Sequence, residues 1–506
     1  MPKEGNKDLF LLIRSLSKSE KAYIRKSAEQ HVIGEKNNYL RLFDAIERQE
    51  TYDEKKLLRE EKYIRQLPFL KNYLFNFILK GLQAYHAESK AEHQVMNMSI
   101  QAGLLYERGL HEACEKMIAK AKALCAKHEY FLDAARLMRL ERRLNHFNGK
   151  FRDDGTRSAL HAELIEQLEL EKNAAAYVDI QNEMLAMIHR VIIGASEKKA
   201  LPEHPLLKDE KQARSLVAKI ARSNTLAAQA RFTDDWEGNY RHMKRTMELV
   251  KEQYAATEDV VAYLHGLNNF FLACYTIERF DECEQLLTEL EGLQAKNPKE
   301  EVEIFGRLAS MRLLLCERKR TYREGAEFIE RMLPVFRRTE KHLAPLYRSN
   351  IIFSALRVTF MSKCFKQTLY WMRLFLDKES KAERSDRQLD AAVLNLMLHY
   401  ELNDREILPH LLKSAQRMHG KALTNGCVEG IMIGCFRNLL RKNSDERAVM
   451  QEAKRKIGEA RMHLNAEAFQ TLLDYEGWLE EKISKLSAGR TRTAAKISTP
   501  ASAARR

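Results

Sequence analysis

Residues 274–290 read CYTIERFDECEQLLTEL, and the order of residue types in that run decides the fold. A charged turn, Glu278-Arg279, precedes Phe280; Cys283 follows three residues on, Leu287 seven on, and Cys274 stands six before. Phe280, Cys283 and Leu287 share one face of a helix that opens at the aromatic. The arrangement returns around Trp236, Tyr322 and Phe365, so the four aromatics are 44, 42 and 43 residues apart. Three after each stand Asn239, Cys283, Gly325 and Thr368; six before stand Ala230, Cys274, Cys316 and Thr359. Seven after stand Met243, Leu287, Ile329 and Met372. Small residues on both sides of a turn let antiparallel helices approach, and the aromatic is expected to be buried as a wedge at their junction. A fixed period of this kind marks stacked helical hairpins.

The pattern resembles the tetratricopeptide repeat, in which an aromatic opens the second helix, a small residue follows three later and an apolar one seven later. Here the period is about eight residues longer than that family's. Cys, Asn, Gly or Thr takes the place of the usual Ala, and no Trp-Leu-Gly signature is present. The resemblance covers about a third of the chain. It implies an all-α, right-handed superhelical stack of antiparallel hairpins, an α-solenoid. It also implies a concave groove lined by the first helix of each hairpin. The motif is packing chemistry and brings no catalytic residue with it.

Outward from the repeat, four regions are expected. Residues 1–93 form an N-terminal helical module or cap: a short apolar helix over Asp8–Leu16, a capping box at Ser17-Lys18-Ser19-Glu20, and helices near Asn38–Arg48 and Pro68–Glu88. Residues 94–207 hold irregular first hairpins. Leu110 lies 126 residues, three periods, before Trp236, with blurred copies at Phe151 and Gly194. Residues 208–486 form the solenoid proper, ending in a capping helix over Ala466–Leu486. Residues 487–506, with five basic residues and no acid beyond Ala488, are expected to be a disordered basic tail.

Only 20 of the 506 residues are Gly and 9 are Pro, while helix formers dominate. The formal charge of +14 is uneven: −4 over 201–300, then +7 over 301–400 and +6 over 401–506. Acids are interspersed nearly everywhere outside the tail, so a solvated, ion-paired surface is expected first. The eight cysteines have no ligand-like spacing, and Cys274, Cys283 and Cys316 fall on apolar helix phases, where a free thiol acts as a small hydrophobe. Met1-Pro2-Lys3-Glu4 begins no signal-like apolar run, and a cytoplasmic chain is expected. Val260–Ile277 runs eighteen residues without a formal charge, but His265, Asn268 and Asn269 fit a buried helix better than a membrane span.

No phosphate loop, nucleophile elbow or calcium loop occurs, and His111-Glu112 fails as a zinc motif because Glu115 stands where the second His belongs. His86 and His93 lie two helical turns apart without a third ligand. No cofactor, metal or catalytic residue is expected, and no enzyme. The expected function is a non-catalytic scaffold for a protein or peptide. Counting back twelve or fifteen residues from the aromatics places Asn224, His265, Asn268, Arg307 and Asn350 in the groove, where amide and guanidinium groups suit a peptide main chain or carboxylate. The alternative is nucleic-acid binding by the basic C-terminal half, with its densest stretch at Arg312–Arg348.

Overall fold

The hairpin pattern rests on a backbone motif. The structure, a computed structural model, describes residues 7–30, 38–88, 90–192, 203–379, 385–419, 427–461 and 473–497. Among them every regular element is helical and none is a strand. The chain groups into two compact units, one holding Met1–Glu183 with Glu203–Arg222, the other Met184–Pro202 with Ser223–Arg506.

The first unit opens with α1 (Asp8–Ser15), α2 (Lys18–Gln30), α3 (Asn38–Glu47), α4 (Glu54–Glu60) and α5 (Leu67–Tyr85). They close over Ile13, Ile24, Leu42, Phe43, Ile46 and Ile78. The capping box forms as expected: the Glu20 amide donates to Ser17 Oγ at 3.2 Å and the Ser17 amide to Glu20 Oε2 at 2.7 Å. Helix α4 is additional to the predicted elements; Asp53 caps it by accepting the Lys56 amide at 2.9 Å. Next come α6 (Ala91–Glu107), α7 (His111–His128) and α8 (Phe131–Phe147), packed over Val95, Ala102, Cys114, Ile118 and Leu137. Helix α9 (Asp154–Ile192) then runs for 39 residues, and this one long helix falls within the irregular region where the period blurs. Phe151 falls in a short 3-10 turn, Lys150–Arg152, and Gly194 lies outside the described residues.

The second unit takes α10 (Leu216–Phe232) from Ser223 onward. It continues through α11 (Trp236–Thr257), α12 (Val260–Thr276), α13 (Phe280–Glu291), α14 (Pro298–Lys319), α15 (Tyr322–Thr339), α16 (Pro345–Met361) and α17 (Phe365–Leu374). After a π turn at Phe375–Glu379 come α18 (Ser385–Glu401), α19 (Leu408–His419), α20 (Val428–Leu439), α21 (Glu446–Arg461) and α22 (Tyr475–Ile497). From α11 onward each helix packs on its sequence neighbours, and first helices of successive hairpins also meet: α12 on α14, α14 on α16, α18 on α20. Helix α22 corrects the expected boundary. Its described part begins at Tyr475 and continues to Ile497, into the stretch expected to be a tail. Ala, Arg and Lys there are good helix formers, and extending an existing helix needs no new nucleus. Residues 462–472 and 498–506 lie outside the described residues, and with them Phe469 and Leu472 of the expected capping helix.

The turn motif is the same at every repeat aromatic. Two residues ahead of it the backbone is left-handed: φ is +62° at Asp234, +61° at Glu278, +58° at Arg320 and +65° at Lys363. The next amide then reaches five residues back, Asp235 to Ala230 O at 2.8 Å, Arg279 to Cys274 O at 2.9 Å, Thr321 to Cys316 O at 3.0 Å and Cys364 to Thr359 O at 2.9 Å. This is the Schellman closure of a helix end. The acceptors are the four small residues six before each aromatic, and all are buried. Leu110 to Leu105 O (3.0 Å) and Asp404 to His399 O (2.9 Å) repeat the closure outside the four clear copies.

Two expectations about the repeat need correction. Trp236, Phe280, Tyr322 and Phe365 are only partly buried, at the rim of each hairpin; the buried partners are the small residues three later. There Asn239 Nδ2 donates to Ala227 O at 2.9 Å, and Cys283 Sγ approaches Phe271 O at 3.9 Å. In both, the side chain reaches a carbonyl twelve residues back. Cys114 does the same to Ala102 O at 3.3 Å, which makes His111 the residue in register with the aromatics and Leu110 the residue before the helix. His111 behaves accordingly, with its ring 5.9 Å from Tyr106 and 4.3 Å from Phe147.

At the third copy the position is Gly325, where an added Cβ would lie 2.7 Å from Val358 Cγ1 of the next hairpin. Gly325→Ala is expected to overpack this contact and cost about 1–3 kcal/mol in a urea unfolding titration.

Candidate functional site

The five groove candidates all lie on first helices of the second unit, but burial separates them. Arg307 is 2% exposed. Its guanidinium pairs with Glu303 one turn earlier and stacks 4.8 Å from the Tyr347 ring centroid. It is a buried strut between α14 and α16, which corrects its expected place on the groove surface. Asn350 is engaged too, accepting from Arg387 Nη2 at 2.9 Å. Asn224 Oδ1 accepts from Thr246 Oγ1 at 3.3 Å. His265 and Asn268 remain, one turn apart on α12; His265 is exposed and Asn268 half-buried. With Val261, Asn269 and Leu272, His265 forms the exposed stripe of a helix whose other faces are buried.

The helices around these residues are not equally open. In α16, Ile351–Leu356 and Val358–Phe360 are buried without a break, and α18 is nearly as covered. Helices buried on all sides usually carry no charge, yet Arg357 stands alone as a cation inside that apolar run. Its Nε lies 3.2 Å from Glu317 Oε2 of α14 and 4.0 Å from Asp390 Oδ2 of α18. The Tyr475 hydroxyl at the start of α22 donates to Asp390 Oδ1. Burial works against the Arg357 charge, but Glu317 and Asp390 outweigh it and raise its affinity for the proton. Burial also raises the Glu317 carboxyl above its ordinary value, against the opposing pull of Arg357. The cluster went unpredicted, although a single arginine within NIIFSALRVTF was a legible signal for it.

Helix α22 seals this part of the unit. Asp474, just before it, pairs with Arg320 at 3.0 Å, and Glu481 pairs with Lys363 at 2.8 Å. Arg320 and Lys363 are the left-handed residues of successive turns. Trp478 Nε1 donates to Glu401 Oε1 at 2.7 Å, and its ring joins Tyr400 and Phe436 at centroid distances of 5.9 and 6.2 Å.

No protein-family model matches this chain, and no curated protein or solved structure matches it. The cysteines are free; burial pushes the Cys283 and Cys435 thiols up to about 12 and Cys125 to about 11, so these groups are thiols at neutral pH. Among the described residues no group of three or more His, Cys, Asp or Glu could hold a metal, and no helix is long and apolar enough to cross a membrane. Most of the basic stretch at Arg312–Arg348 is neutralised. Arg312 pairs with Glu284 and Glu291, Arg318 with Glu278, Lys319 with Glu284, Arg323 with Glu327 and Arg338 with Glu301.

Removing one partner of the buried cluster leaves like charges together. Arg357→Met is expected to cost about 3–5 kcal/mol by chemical denaturation. His265 gives a pH signature. Partial desolvation of the ring against its neighbours, and then the nearby Arg307, lower its proton affinity below the ordinary 6.5. The unfolded chain then takes up a proton that the folded one refuses, so stability falls as pH drops below about 6.5. His265→Gln is expected to flatten that part of the stability–pH curve, read as melting temperature against pH.

Proposed function

We propose that this chain is a non-catalytic scaffold, a divergent tetratricopeptide-like superhelix that holds an extended peptide against α12. The observation that carries this reading is the Asn268 side chain. It is half-buried on a first helix, beside the exposed His265 stripe, and makes no side-chain hydrogen bond among the described residues. A primary amide offers both donors and an acceptor, which matches a peptide main chain. Neutral His265 adds a second hydrogen-bonding group one turn away, while Val261 and Leu272 supply apolar contact at either end. The C-terminal part of the same helix layer, covered by α22, offers less open surface, which favours α12 as the place of capture. Eight free cysteines, seven of them with raised thiol values, fit a reducing cytoplasm.

The test is recovery of partner peptides on the immobilised full chain, compared with Asn268→Ala/His265→Ala. Both positions are solvent-facing in part, so the double variant is expected to melt like the wild type. It should lose about tenfold in retention of the peptides that the wild type holds, the size of two lost hydrogen bonds. Equal retention would overturn this reading.

A further inference from the structure

The outer helices hold a second surface, built around Tyr370 on α17. Lys366, Tyr370 and Arg373 stand at i, i+4 and i+7, on one stripe of the helix. Leu369 and Leu374 lie beside that stripe, and with Asp377 at the far end these residues line an open cleft of about 440 Å³. From α15, the Arg337 guanidinium stacks 5.3 Å from the Tyr370 ring centroid. The floor is rigid: Tyr370 packs edge-on against Trp371 at 5.2 Å, and Trp371, 1% exposed, packs against Phe336 at 5.2 Å.

Cations without an ion-pair partner gather at this cleft. The neighbouring cations Arg312, Arg318, Lys319, Arg320, Arg323 and Arg338 each have a carboxylate partner. Arg337, Lys366 and Arg373 are exposed, and among the described residues none has one. Glu330, the nearby acid of α15, is engaged by Gln367 Nε2 at 2.8 Å. Three cations without an ion-pair partner among the described residues thus gather beside one aromatic ring and two leucines, with a single carboxylate, Asp377, at the far end.

We infer that this cleft docks an acidic peptide segment carrying apolar side chains, with Arg337, Lys366 and Arg373 meeting its carboxylates and Leu369, Tyr370 and Leu374 its apolar groups. Arginine offers a fork that fits a carboxylate, and an aromatic-backed arginine is held ready for it. The leucine floor distinguishes such a peptide from a nucleic-acid backbone, which asks for cations and has no use for aliphatic contact. The inference stands apart from peptide capture at α12, since the two surfaces share no residue.

The test uses the full chain and fluorescent probes read by anisotropy. The main probe is a peptide of about twelve residues with Asp and Glu flanking Leu and Phe at helical spacing. Controls are an oligoglutamate of equal charge and a single-stranded RNA of similar length. The mixed peptide is expected to bind most tightly and to weaken with added salt. Arg337→Glu, Lys366→Glu and Arg373→Glu should each weaken it about tenfold, whereas Arg323→Glu, at an ion-paired site elsewhere on α15, should leave it unchanged. Oligoglutamate binding as tightly as the mixed peptide would remove the apolar floor from the account. RNA binding more tightly than either, or a mixed peptide indifferent to the three reversals, would overturn the assignment. Asn268→Ala/His265→Ala should not affect this probe, so failure here and failure at α12 are distinguishable.

Discussion

The regular repeat in this molecule depends on a hydrogen bond that closes the hairpin in each of the four clear copies, from the amide just before the repeat aromatic to the carbonyl five residues back. The bond requires a left-handed residue at the turn. In four clear copies that residue is Asp, Glu, Arg or Lys rather than Gly, at a cost of roughly 1 kcal/mol each. The closure satisfies a carbonyl that the helix end would otherwise leave open and fixes the direction in which the next helix starts. That direction brings the fourth residue of the new helix onto the backbone of the old one. Asn239 and Cys283 reach it with a side chain, and Gly325 yields the space to Val358 of the next hairpin. The aromatic is left at the rim, partly exposed, because the small residues take the interior.

The geometry explains which parts of the fold were legible in the sequence. A turn closure and a close helix contact are made by residues within about a dozen positions of one another, so they leave a local pattern that repeats. The period, the small positions and the capping box at Ser17 could be read for that reason. What the pattern could not supply was register where the signal residue changes type. His111 takes the aromatic's place, and apolar Leu110 beside it drew the expectation one residue away. Nor could the pattern foresee that α9 would run on as one helix, or that the Ala- and Arg-rich end would extend α22.

The candidate site was less legible, for a different physical reason. Arg307 and His265 hold the same offset from their aromatics, yet one is a buried strut and the other is exposed. The distinction is made by Glu303 and Tyr347, the latter forty residues along the chain from Arg307 and adjacent only after the hairpins stack. Asn350 is likewise taken by Arg387 of the next first helix. Offsets identify the layer a residue belongs to; they do not say whether its polar group is already spent. Lone charges in apolar helices carry more information, because burying one without partners is too costly to persist. Arg357 is that kind of residue, and following it leads to Glu317, Asp390 and Tyr475.

This cluster links the repeat to the helix that covers it. Asp474 and Glu481 are seven residues apart, about 10 Å along a helix, close to the separation of neighbouring packed helices. Their partners Arg320 and Lys363 occupy the same position in successive repeats. One helix can therefore contact two turns at once only if the hairpins keep their ordinary spacing. The charges at the turns, which carry a conformational cost, then serve a second purpose: they give α22 a matching row of cations. Tyr475, donating to Asp390 beneath, ties the same helix to the buried ions. The covering of the C-terminal hairpins is in this sense a consequence of the repeat, since the same left-handed turns that stack the helices also present the groups that hold α22 across them.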